Sequence, residues 1–129
     1  MDILLQLFND KELDRIISKC DELKSVSKDE ISKIINYFHE LNFDNTYIRF
    51  VIMNNPTFLT RSADRIIEII EALKEYGIED IDLCIYIYPL ILNKSLYEID
   101  NFYIKKHLEG LSNEDINLLL ETEPYLIDK

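Results

Sequence analysis

The sequence predicts an all-α fold, a short right-handed α-solenoid of about three to four helix-pair repeats with a period of about 34 residues. Three observations predict it. The chain has only two glycines and three prolines, and they are periodic: Pro56 to Pro89 is 33 residues, Pro89 to Pro124 is 35, and Gly77 to Gly110 is 33. The offsets from Pro56 to Gly77 and from Pro89 to Gly110 are both 21. Between these markers apolar residues recur at i, i+3, i+4 and i+7, the spacing of one helix face. Finally, Ser27 with Glu30 and Ser95 with Glu98 read as capping boxes, in which the serine hydroxyl accepts from the third helical N–H and the glutamate reaches back.

Taken in order, residues 1–26 form an atypical N-terminal cap and residues 27–127 hold three repeats, the whole of 1–129 reading as one domain. In the cap, Asn9 to Glu12 open a helix carrying Leu13, Ile16, Ile17, Cys20 and Leu23. The first long helix opens at Ser27 and buries Ile31, Ile34, Ile35, Phe38 and Leu41. The second opens at Ser62 and carries Ile66, Ile67, Ile70 and Leu73. The third runs from Ser95 through Ile99, Phe102 and Tyr103. Asn42, Gly77 and Gly110 should stop them, because a left-handed residue after a helix suits Gly and is tolerated by Asn. A shorter apolar segment follows each stop: Tyr47, Ile48, Val51 and Ile52; Ile81, Leu83, Ile85 and Tyr86; Ile116, Leu119 and Leu120. Each ends at a proline, whose ring and missing N–H terminate a helix.

Two segments test this scheme. Residues 81–88, IDLCIYIY, favour a strand by propensity, whereas the repeat register makes them a helix, and the register is followed here. In the last repeat, Leu119, Leu120, Tyr125 and Leu126 should form an exposed apolar edge unless the repeat caps itself. Cys20 and Cys84 sit among apolar neighbours and read as two reduced core thiols. The eight tyrosines read as helix-interface packing, with Tyr88 and Tyr125 the exposed ones.

The search for chemistry returns little. His39-Glu40-Leu41-Asn42-Phe43 starts like a zinc-protease motif, but Phe43 stands where the second histidine would ligate. His107, near Lys105 and Lys106, reads as a solvated surface residue. There is no calcium loop, phosphate-cradling glycine loop or nucleophile elbow. No enzymatic activity and no cofactor are expected. The start of the chain carries no signal-peptide pattern and no stretch reaches the roughly 18 apolar residues of a membrane span, so the expected location is cytoplasmic, away from membranes.

At Pro56-Thr57-Phe58-Leu59, Ser62, Leu73 and Gly77, and again from Gly110 to Ile116 with Leu119-Leu120 and Pro124-Tyr125-Leu126, the sequence resembles repeats of the mitochondrial transcription termination factor (mTERF) family. The resemblance covers roughly residues 27–127. It implies a curved α-solenoid that binds DNA or RNA through a basic concave face. Arg61, Arg65, Lys94, Lys105 and Lys106 would carry that role here.

The net charge of −11 points the other way, since phosphate neutralisation supplies most nonspecific affinity for nucleic acid. Residues 107–128 hold six acids and no Lys or Arg. The leading expectation is therefore a non-enzymatic acidic module that binds a basic protein, as an inhibitor or nucleic-acid mimic, through Glu109, Glu114, Asp115, Glu121, Glu123 and Tyr125. Nucleic-acid binding is the alternative.

Overall fold

The computed structural model describes residues 3–128. Among them the chain is helical throughout, in the order α1 (Ile3–Leu7), α2 (Asp10–Lys19), α3 (Lys28–Glu40), α4 (Asn45–Asn54), α5 (Ala63–Tyr76), α6 (Ile81–Ile87), α7 (Leu96–Leu108) and α8 (Asn113–Thr122). After each even-numbered helix comes a five-residue 3-10 turn: Asp21–Ser25, Pro56–Thr60, Pro89–Asn93 and Pro124–Asp128. The repeating unit is thus helix, helix, 3-10 turn, and the all-α expectation holds.

The prolines do not simply end the short helices, as the sequence reading had it; each is the first residue of a 3-10 turn. The residue before the turn leaves helical geometry in the same way in all four units, with φ/ψ of −145/83° at Cys20, −151/66° at Asn55, −139/79° at Tyr88 and −138/58° at Glu123. A following proline keeps the residue before it out of helical geometry, yet Cys20 breaks in the same way and precedes Asp21. The break also divides the predicted cap helix: α2 stops at Lys19, and Leu23 lies in the turn.

The long helices stop where expected. Asn42, Gly77 and Gly110 have φ of 67°, 109° and 95°. The N-terminal signals fared unevenly. Asn9/Glu12 and Ser95/Glu98 form reciprocal capping boxes, and so do Ser112 and Asp115, a pair the sequence reading passed over. Ser62 caps α5 by accepting from Arg65 N–H. Ser27 accepts from Asp29 N–H, but Glu30 does not reach back to it. Its carboxylate accepts instead from Ala63 N–H, the first donor of α5, at 2.8 Å.

Residues 81–87 are helix α6. The scale of β-propensity spans only about 1 kcal/mol, while fully burying one isoleucine contributes about 1.5–3 kcal/mol. As a helix the segment puts Ile81, Cys84 and Ile85 on one buried face at i, i+3 and i+4, and that burial outweighs the propensity.

The chain divides into two compact units, one ending at Ile66 and the other beginning at Ile67, within α5. In the first, Ile34, Phe38, Ile48, Ile52, Phe58 and Leu59 are fully buried, and Phe38 stacks on Phe58 at 5.8 Å. In the second, Ile70, Leu73, Ile85, Leu92, Tyr103, Ile116 and Leu120 form the core. Cys20 and Cys84 are both free and buried. The apolar edge expected at the last repeat does not form as drawn: Leu120 is fully buried and Leu119 and Leu126 are half-buried, because the Pro124–Asp128 turn packs against α8.

Candidate functional site

Polar contacts between repeats position the surfaces, and they obey the register. In the second unit the Tyr76 and Tyr103 rings stack at 3.7 Å with an 8° interplanar angle. The Tyr103 hydroxyl donates to Asn117 Oδ1 at 2.6 Å, and Asn117 Nδ2 donates to the carbonyl of Tyr76, the last residue of α5, at 2.9 Å. The Tyr76 hydroxyl donates to Asp100 at 2.6 Å. Burial, helped by that carboxylate, pushes the Tyr76 hydroxyl up to about 12. Burial also raises Tyr103, next to Cys84, Tyr76 and Glu121.

In the first unit Arg49 does for α1 what Asn117 does for α5. Both residues are the fifth of their helices. Arg49 donates to the carbonyl of Leu7, the last residue of α1, at 2.6 Å, and forms a two-pronged pair with Glu12 at 2.7 and 3.2 Å. The Arg49 guanidinium hydrogen bond holds the Glu12 carboxyl below its ordinary value. The Arg49 charge is therefore committed inside the fold.

The basic residues named from sequence have distinct surroundings. Arg61 is half-buried and Arg65 exposed, both in the first unit, and neither has an ion pair among the described residues. Lys94, in the second unit, is largely buried between Asp128 and Glu98. Lys106 pairs with Glu109 at 3.2 Å and lies 5.7 Å from the Phe102 ring centre. Lys105 is exposed and has no ion pair among the described residues. Lys105 and Lys106 line a groove of about 200 Å³ with Tyr97, Glu98, Asn101, Phe102 and Ile127. Tyr97, 76% exposed, lines the same groove as the two lysines; it was missed because its spacing from Ser95 looked like an ordinary first turn.

The acidic residues named from sequence cluster less by design than by helix ends. Glu109 caps α7, Glu114 and Asp115 occupy the first turn of α8, and Asp115 spends its carboxylate on the capping box. Glu114 and Glu121 share a shallow groove with Gly77, Glu79, Asn117 and Leu118. Glu123 accepts from the Tyr125 hydroxyl at 3.1 Å. Tyr125 is exposed, but Tyr88 is half-buried with its hydroxyl bonded to Asp128, which corrects the expectation for that residue. The exposed tyrosines are Tyr86, Tyr97 and Tyr125. Leu83 and Tyr86, counted in the short apolar segment from sequence, are 43% and 50% exposed, since the buried face of α6 runs through Ile81, Cys84 and Ile85.

Charge divides with the units: up to Ile66 the chain holds 9 Lys/Arg against 11 Asp/Glu, and from Ile67 on it holds 5 against 14. Among the described residues no group of three or more His, Cys, Asp or Glu is placed to hold a metal ion. His39 Nε2 bonds Asn45, and His107 Nδ1 bonds the Leu111 carbonyl. Among the described residues no helix is long and apolar enough to cross a membrane.

Helix, helix, 3-10 turn repeats joined by side-chain caps define the class, a helical-repeat protein. The mTERF family model matches residues 5–128, and the chain belongs to the mTERF family. No curated protein and no solved structure is significantly similar to the chain.

Proposed function

We propose that the chain is a non-enzymatic nucleic-acid-binding protein. The observation that carries this reading is membership of the mTERF family over residues 5–128, which favours nucleic acid above the basic-protein partner that charge alone had put first. The side chains suited to it are those whose charge is not consumed internally: Arg61 and Arg65 in the unit of net charge −2, and Lys105 beside Tyr97 in the groove on α7. Lysine neutralises phosphate and an exposed tyrosine ring stacks on bases, a combination suited to single strands.

A second reading, an acidic surface for a basic protein, is favoured by one observation. Residues 75–93 and 107–128, which include α6, α8 and their turns, contain no Lys or Arg. A pull-down of the tagged chain from its own cell lysate, with and without nuclease, separates the two. Nucleic acid recovered only without nuclease supports the first reading. A basic protein retained after nuclease, with no nucleic acid in the untreated arm, replaces it with the second.

A further inference from the structure

Resting on that second reading, we propose that the outward face of α6 and α8 is a docking surface for a basic amphipathic helix of a partner protein. Leu83, Tyr86 and Ile87 follow at i, i+3 and i+4 on α6 and are 43%, 50% and 40% exposed, and Leu90, in the 3-10 turn beyond the break at Tyr88, is 43% exposed. The repeat register makes this unusual. Counting back from the turn, Ile87 corresponds to Asn54 in the repeat before and Thr122 in the one after, and Leu90 corresponds to Thr57. Asn54, Thr122 and Thr57 are exposed and polar.

The next repeat extends the face. Leu118, at the place of Leu83, is 61% exposed, and Tyr125, at the place of Leu90, is 44% exposed. Helices α6 and α8 pack against each other within the second unit. Large apolar side chains exposed on two helices that pack together, with carboxylates in the same elements, point to an interaction site.

Charge selects the occupant. Asp82, Glu114, Glu121 and Glu123 stand among these apolar residues with no Lys or Arg on either element. Leucine-like side chains at helical spacing would seat on the apolar stripe while lysines or arginines on the flanks meet the carboxylates, the helix-in-groove mode of recognition. Nucleic acid and anionic membranes are repelled by the same carboxylates, and a second copy of the chain would place like charges opposite each other.

The probe is a leucine–lysine amphipathic peptide of about five helical turns, some 18 residues, with a scrambled peptide of identical composition as control. In low salt the amphipathic peptide should bind the full chain at least tenfold tighter than the scramble. Leu83→Ser, Tyr86→Ser and Leu118→Ser combined should weaken it at least tenfold, whereas Leu5→Ser, on an exposed leucine of α1, should leave it unchanged. Hydrogen exchange on the wild-type chain supplies a readout independent of the variants: peptide-dependent protection in α6 and α8 supports the proposal, and protection confined to other helices overturns it. Equal binding of both peptides, unaffected by the triple substitution, overturns the docking face and leaves the basic-partner reading standing. Binding of neither peptide overturns both, and a dimer in light scattering that the triple substitution dissolves assigns the face to a second copy instead.

Discussion

Asn117 ties a side-chain hydroxyl and a backbone carbonyl together at one point, and its substitution is the most informative single change in the second unit. Asn117→Leu removes the acceptor of the buried Tyr103 hydroxyl and the donor to the Tyr76 carbonyl. An unsatisfied buried polar group costs about 1–3 kcal/mol, so urea unfolding should show a loss of at least about 2 kcal/mol. Gly77 adds a paired test. It shares a positive φ with Gly110, and L side chains there cost about 1–2 kcal/mol. Only at Gly77 would a Cβ also meet Asn117 Nδ2, at 2.7 Å. Gly77→Ala should therefore be clearly more destabilising than Gly110→Ala, and equal losses would mean Asn117 moves aside freely. The tyrosines add a pH dependence. The Tyr76 hydroxyl is raised, so its contribution is complete below its ordinary value near 10 and is lost as pH climbs towards about 12. The thermal midpoint should fall across that window, less steeply in Tyr76→Phe.

At the scale of elements, the breaks between α-helix and 3-10 turn are set by the repeat and reinforced by proline. Cys20 adopts the same non-helical geometry before Asp21 as Asn55, Tyr88 and Glu123 adopt before their prolines. Pro89→Ala should accordingly keep the break and cost only about 0.4–1 kcal/mol through the unfolded chain; a gain in helix content by circular dichroism would show that proline alone imposes it. The terminal helix α1 depends on Arg49, so Arg49→Ala should accelerate hydrogen exchange at the Phe8 amide, which bonds the Leu4 carbonyl. These elements also show what was legible beforehand. Glycine and proline spacings mark where backbone geometry is special, and they placed the stops at Asn42, Gly77 and Gly110 correctly. The 3-10 turns were not legible, because a proline after an apolar run reads equally as an end or as the start of a tighter turn. Nor were Arg49 and Glu30, whose partners lie 42 and 33 residues away and satisfy no local motif.

Across the molecule, family and charge pull toward different ligands. The mTERF match runs from residue 5 to residue 128, through both units, while the charge is −2 up to Ile66 and −9 beyond it. A surface reading was hard to make from sequence because counting bases does not show which are spent: Arg49, Lys94 and Lys106 are tied to acids, whereas Arg61, Arg65 and Lys105 have no ion pair among the described residues. Conversely, the apolar run in α6 looked like core until the helix turned Leu83 and Tyr86 outward. The most direct test of the central claim is a fluorescence-anisotropy titration of labelled single-stranded and duplex DNA and RNA with the purified chain over a salt series. The account predicts binding at low salt whose log affinity falls linearly with log salt concentration, with a shallower slope in Arg61→Gln/Arg65→Gln/Lys105→Gln. No binding to any of these nucleic acids at low salt would contradict it.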